Sequence, residues 1–252
     1  MLAALDDAAI MIGRSLTHSR RALDSLLIGV LLPVLLLLLF VYVFGGAIAP
    51  EGQYLTYVVP GIVLLCAGYG AALTGVPVAH DMTTGAIDRF RSLPILRSAV
   101  LLGHVTAGLL RNLLSTVLVL AVAYAIGFRS SAGPLEWLLA LAVLTLFIVG
   151  MSWVSVCFGL IASSAESASS FSFVILFLPY LSSAFVPVET MPRVLRGFAG
   201  HQPLTPVIET LRGLMTGTPV ATAAWTAVAW FTAILVAAYA TATYLFNRRT
   251  TR

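Results

Sequence analysis

The sequence contains no lysine. All fourteen of its basic residues are arginine, ten acids stand against them, and charged residues make up only 10% of the 252-residue chain. Soluble domains carry roughly 25%. A chain this poor in charge, 60% hydrophobic and with a mean hydropathy of +1.00, is an integral membrane protein. The missing lysine has a second consequence, because the phosphate loop of ATP-hydrolysing enzymes needs one on the β and γ phosphates. ATP hydrolysis by that route is excluded. Cysteine is scarce too: Cys66 and Cys157 each sit inside an apolar run, without CxxC or Cys/His ligand spacing, and read as small buried apolar residues. The four histidines, His18, His80, His104 and His201, stand isolated, with no HExxH and no paired carboxylates at one depth. The sequence therefore offers neither a metal site nor a catalytic group. An intramembrane serine protease of the Gly-x-Ser-Gly type is excluded by Trp153, which follows Gly150-Met-Ser152. The net charge of +4 does not imply nucleic acid, since the arginines mark the ends of apolar segments and form no single basic face.

What is present is a series of long apolar runs. Crossing about 30 Å of hydrocarbon takes about 20 helical residues, and six segments qualify: 26–48, 55–79, 100–126, 135–162, 168–186 and 223–246. The expected fold is all-α, a single membrane domain over 1–252. The first run is too long for a signal peptide's apolar core and reads as an anchor. Six spans put both termini on one side, and arginine counts choose it. Nine lie on the terminal side (Arg14, Arg20, Arg21, Arg89, Arg91, Arg97, Arg248, Arg249, Arg252), and four lie opposite (Arg129, Arg193, Arg196, Arg212). The positive-inside rule then makes both ends cytoplasmic and the chain a multi-pass protein of the cell membrane.

Two flanking regions are amphipathic. Before the first span, Leu5, Ala9, Ile12, Leu16 and Leu23 recur at helical spacing, which predicts either a helix over residues 1–25 lying along the inner surface or a plain cytoplasmic tail. Residues 187–222 are too polar to span. There Thr205 can cap a helix with Pro206 at its first position. Val207, Ile208, Leu211, Leu214 and Met215 form its apolar stripe, and Gly217 ends it. Met191-Pro192 with Val194, Leu195 and Phe198 begins a second short helix. Both read as interfacial or re-entrant elements on the outer side.

Between the second and third spans lies a polar island, His80-Asp-Met-Thr-Thr-Gly-Ala-Ile-Asp-Arg-Phe-Arg-Ser-Leu-Pro94. Its charges, Asp81, Asp88, Arg89 and Arg91, together with Arg97 just beyond, must sit in water or headgroups. Thr83 or Thr84 can cap a helix here, Asp88 suits its first turn, and Pro94 stops it after two or three turns. The result is a knob with apolar Ile87, Phe90 and Leu93 on one ridge, suited to a partner's groove; the alternative is a solvated loop.

These residues resemble the permease subunits of type 2 ABC exporters, especially the daunorubicin/doxorubicin-resistance branch. The match reads Asp81, Gly85-Ala86-Ile87-Asp88-Arg89-Phe90 and Ser92-Leu93-Pro94, then Leu102-Gly103. A second match reads Pro187, Met191-Pro192, His201-Gln-Pro203-Leu-Thr205-Pro206, with Arg212 and Gly217 downstream. Ala86 and Gln202 depart from the family's commoner threonine and asparagine. The resemblance implies that two permeases, identical or homologous, pair in the membrane above two copies of a separate ATPase subunit. ATP and Mg would belong to that partner, and this chain would bind no cofactor. It implies that Asp81, Gly85, Asp88, Arg89, Phe90, Arg91 and Pro94 form the contact that couples permease to ATPase. Met191, Pro192, Pro203, Pro206 and Arg212 would belong to an external gate.

The resemblance also puts the second and fifth spans nearest the dimer axis. Tyr69, Thr74, Phe173, Phe177 and Tyr180 are then candidates for a path taken by a drug, lipid or glycolipid, although simple packing also explains such aromatics. Pro60 and Pro77 are able to bend the second span. Arg111, inside the third, either marks a function or snorkels to the interface. Glu166 reads as part of a solvated turn or a gate. An ion-coupled transporter or a channel is the alternative function, and would be expected to carry more intramembrane charge than Arg111 alone.

Overall fold

The computed structural model describes residues 23–48, 53–84 and 97–250, all helical or in connecting turns. The N-terminal amphipathic segment and the positions Gly85, Asp88, Arg89, Phe90, Arg91 and Pro94 lie outside the described residues. Helix α1 (Leu23–Leu38) passes through a π-helical stretch (Leu39–Phe44) into a final α-turn (Gly45–Ile48). Next come α2 (Tyr54–Ala72), α3 (Gly75–Thr83), α4 (Arg97–Ala125) and α5 (Pro134–Ile161). Helix α6 (Ala165–Phe177) runs into a 3₁₀ turn (Leu178–Leu181), followed by α7 (Arg193–His201), α8 (Leu204–Thr216) and α9 (Ala221–Thr250).

Helix α2 is the axis of the bundle and touches α1, α4, α5, α6 and α8. Its residues from Val58 to Gly68 are buried without interruption. A helix apolar on every side and wrapped by neighbours gains burial all round, and small residues let those neighbours approach. A methyl on Gly61 would lie 2.6 Å from the Ala184 carbonyl oxygen. Helices α5 and α9 pack along their lengths, with Phe147 edge-on to Phe231 at 4.9 Å and Trp153 edge-on to Tyr239 at 4.9 Å. Pro33 in α1 has no N–H for the Gly29 carbonyl, and the Cys66 thiol of α2 approaches that oxygen at 3.9 Å.

Among the described residues, five helical stretches are long and apolar enough to cross a membrane: Gly29–Ile48, Tyr54–Thr83, Val100–Ala125, Pro134–Ile161 and Ala221–Arg249. The fifth predicted segment differs. The apolar helix there runs Ala165–Leu181 and stops short of Val186. Pro179 tightens its last turn, the Ser182 hydroxyl donates to the Pro179 carbonyl at 2.5 Å, and the chain then turns over the N-terminal end of α2. Its start matches capping chemistry: Ser164 accepts from the Ser167 N–H at 3.1 Å.

The outer segment forms both short helices, with one correction. Helix α8 begins at Leu204, so Thr205 lies inside it and donates to the Ala199 carbonyl at 2.6 Å instead of capping. Pro203 holds the cap position. The stripe Val207, Ile208, Leu211, Leu214 and Met215 is buried, and Gly217 closes the helix at φ +73°. Helix α7 turns its apolar residues outward instead, with Val194 87% exposed and Phe198 49%.

Candidate functional site

At one end of the bundle, α3 and α4 flank the polar island. Thr83 is the last residue of α3, and its hydroxyl donates back to the Ala79 carbonyl at 3.0 Å. Thr84 donates through both its N–H and its hydroxyl to the His80 carbonyl. These threonines thus close the second span's helix. Asp81 does not project freely: His104 Nε2 of α4 donates to its Oδ2 at 3.0 Å. Among the described residues no other acidic and basic side chains come within ion-pair distance, and both of these are largely buried. His104 is therefore not isolated. Its signal in the sequence is a histidine one turn inside one apolar run, paired with an acid at the end of the preceding run.

About two-thirds of the way along the stretch Tyr54–Thr83, α2 and α3 are separated at Leu73–Thr74. Pro77 cannot donate to the Leu73 carbonyl, and its ring crowds that turn, so the helix breaks one turn before the proline. The ends freed by the break are the Ala72 carbonyl and the Gly75 N–H. Ser155 of α5 satisfies both, accepting from Gly75 N–H at 2.8 Å and donating to the Ala72 carbonyl. Thr74, a predicted path residue, is buried in this seam and donates to Ser152 Oγ at 3.4 Å. Gly159 and Gly75 meet backbone to backbone, leaving no room for a methyl on either. Asn112 of α4 adds a further strut, donating to the Ala67 carbonyl at 2.7 Å. The preference for polar residues in this seam was not foreseen.

The other predicted path residues divide. Tyr69 is partly buried. Phe173 and Phe177 are each 63% exposed and point away from the bundle. Tyr180 stacks on Phe185 at 4.7 Å beside Phe40, at the end of the bundle where α2 begins. An apolar cavity of about 290 Å³ lies inward of α7 and α8, walled by Gly68, Phe147, Ile175, Pro203 and Phe231. Gln202 closes its outer end by donating to the Leu181 carbonyl at 2.5 Å.

Of the predicted outer residues, Met191 is buried, Pro192 starts α7, and Pro206 lies in the first turn of α8. Arg212 is the most engaged. Its Nε donates to the Tyr57 carbonyl at 3.2 Å, its Nη2 donates to the Ser183 carbonyl at 2.6 Å, and its guanidinium lies 3.8 Å from the centre of the Tyr57 ring. Tyr54 and Tyr57 donate to the carbonyls of Phe185 and Ser183, each at 2.9 Å. Arg212 thus ties α8 to α2 and to the turn after α6. Arg111 is partly buried on α4, with no carboxylate among the described residues within ion-pair distance.

These observations define a polytopic, all-helical membrane protein whose polar groups gather at a helix break and at its two ends. Residues 8–216 match the ABC-2 type transporter family, and the chain belongs to that family. It is 32% identical over 219 residues to the daunorubicin resistance ABC transporter permease protein DrrB1 of Streptomyces coeruleorubidus, covering 83% of this chain and 77% of that one. It is 23% identical over 209 residues to the probable doxorubicin resistance ABC transporter permease protein DrrC of Mycobacterium tuberculosis, covering 82% and 76%. The putative transport permease ycf38 of Cyanophora paradoxa is 24% identical over 217 residues, covering 83% and 74%. The chain is the permease subunit of an ABC-2 type transporter, a class that works with ATP-binding subunits.

Proposed function

We propose that this permease moves a hydrophobic or amphiphilic molecule outward, using ATP hydrolysed by two copies of a separate subunit. A second permease, identical or homologous, completes the pathway. Both termini face the cytoplasm, ATP and Mg reside on the partner, and the polar island from Asp81 to Pro94 docks on it through Gly85, Asp88, Arg89, Phe90 and Arg91. The resistance to daunorubicin and doxorubicin named for two relatives supports an amphiphilic cargo. One observation carries the coupling role. Asp81 and His104 tie α3 to α4 at the base of the island, so a push on the island reaches both helices as one unit. Ion-coupled transport has less support, because Arg111 is the one ionisable residue well inside an apolar span.

Co-expression with a candidate ATP-binding subunit tests the reading. The tagged permease is expected to retain that subunit through purification and to stimulate its ATPase. Arg89→Ala and Phe90→Ala are expected to insert normally while stimulation and transport fall towards background. Failure to retain any ATP-binding subunit overturns the reading, and full stimulation in both variants removes the island from the contact.

A further inference from the structure

A cavity of about 800 Å³ opens at the outer end of the bundle, between the last turn of α1 (Ile48), the start of α2 (Tyr54, Tyr57), α8 (Glu209, Arg212) and the start of α9 (Val220, Ala223). Its walls carry opposite charges that do not neutralise each other. Glu209 and Arg212 sit three residues apart on one face of α8, yet no carboxylate of a described residue lies within ion-pair distance of Arg212. The guanidinium is fixed by the Tyr57 and Ser183 carbonyls and by the Tyr57 ring, and its Nη1 has no carbonyl or carboxylate acceptor among the described residues. The Glu209 carboxylate is exposed and accepts no hydrogen bond from a described residue. Surrounding protein raises its pKa above the ordinary carboxylate range by desolvation; Arg212 opposes this shift and Glu189 adds to it. Tyr54 and Tyr57, stacked at 6.3 Å, form the inner wall of the cavity, with their hydroxyls committed to the Phe185 and Ser183 carbonyls.

We propose that this cavity is a binding site for a zwitterionic phospholipid headgroup carrying a primary ammonium, with phosphate at Arg212 and ammonium at Glu209. The acyl-glycerol part lies against Ile48, Val220 and Ala223. A guanidinium with open N–H donors takes phosphate oxygens through charge-assisted hydrogen bonds. A primary ammonium donates hydrogen bonds to a carboxylate, whereas a choline ammonium has no N–H to give, so the site distinguishes the two headgroups. An anionic lipid without an ammonium leaves Glu209 facing a phosphate. The inference rests on the membrane placement of the chain and is independent of transport direction and of the ATP-binding partner.

The full-length permease, delipidated in neutral detergent, tests this by native mass spectrometry against equimolar phosphatidylethanolamine, phosphatidylcholine and phosphatidylglycerol. Wild type is expected to retain phosphatidylethanolamine about tenfold better than the other two, the order expected for one charge-assisted contact. Arg212→Gln is expected to lose all three. Because Arg212 also ties α8 to α2, Glu209→Gln is the decisive variant: it breaks no hydrogen bond within the described protein and is expected to bind phosphatidylethanolamine and phosphatidylcholine equally. Retention of the preference in Glu209→Gln, or equal retention of all three lipids by wild type, overturns the proposal. Competition by millimolar inorganic phosphate also overturns it, assigning the site to a free anion.

Discussion

Ser155 does the work of a missing peptide partner. Where Pro77 interrupts the second span, a carbonyl and an N–H lose their helical mates in a dry interior, and one hydroxyl serves both. An unsatisfied buried polar group costs about 1–3 kcal/mol. Ser155→Ala orphans two, so it is expected to destabilise the permease by about 2 kcal/mol or more, read as a drop in melting temperature in detergent. Ser155→Thr, which keeps the hydroxyl, is expected to lose less; equal losses in the two variants would show that packing governs the position and that the hydrogen bonds do not. The bend itself was legible, because proline's missing donor and ring clash are written in its type. The staple was not. Ser155 stands 80 residues from Gly75 in sequence, and nothing local distinguishes it from Ser152 or from the serines near Ser164. Likewise Asp81 and His104 are each readable as polar, but their meeting depends on the antiparallel placement of α3 and α4.

At the scale of elements, most of the apolar runs fall on helices among the described residues, since periodicity reports environment. They failed at the fifth. Residues Ser182 to Val186 are apolar enough to continue a span, but the Ser182 hydroxyl serves the Pro179 carbonyl and the Ala184 N–H while the Ser183 carbonyl accepts from the Tyr57 hydroxyl, in a turn over the N-terminal end of α2, and the helix stops. Pro60 and Pro77 make a useful contrast within one span. Pro60 falls in the second turn of α2, where its unpaired acceptor is the Thr56 carbonyl near the helix start, and the helix continues; Pro77 falls deep in the span, and the helix breaks one turn before it. Helix α3, set off by that break, packs against α5 and α6 and is tied to α4 by Asp81 and His104, which suits it to carry the island's motion in the proposed coupling. Pro77→Ala, restoring a helical donor, is expected to leave melting temperature unchanged or raise it while lowering coupled ATPase stimulation. A variant that couples like wild type would show that the break is structural only.

At the scale of the whole molecule, the distribution of uncovered apolar surface indicates where other matter must lie. Leu31, Leu35 and Tyr42 on α1, Phe173 and Phe177 on α6, and Trp225, Val236 and Tyr244 on α9 are all exposed. Lipid satisfies any of them, because hydrocarbon is as apolar as leucine and sets no preference between helix and tail. A protein seam is distinguished by small residues and polar contacts that allow close approach. Along α6 the exposed phenylalanines follow the exposed Ser167 and Ser170 nearer its start, whereas the exposed face of α9 carries tryptophan and tyrosine among alanines and Thr232. The serine-bearing face suits a pathway shared between two permeases, whereas the exposed Trp225, Trp230 and Tyr244 of α9 are amphipathic rings of the kind that meet lipid at the membrane interface. In a background of Cys66→Ala and Cys157→Ser, Phe177→Cys is therefore expected to cross-link two copies of the chain in membranes with a short bifunctional thiol reagent, and Val236→Cys is expected to stay monomeric. Cross-linking at Val236 with none at Phe177 would move the seam to α9 and leave the exposed aromatics of α6 facing lipid, away from any cargo.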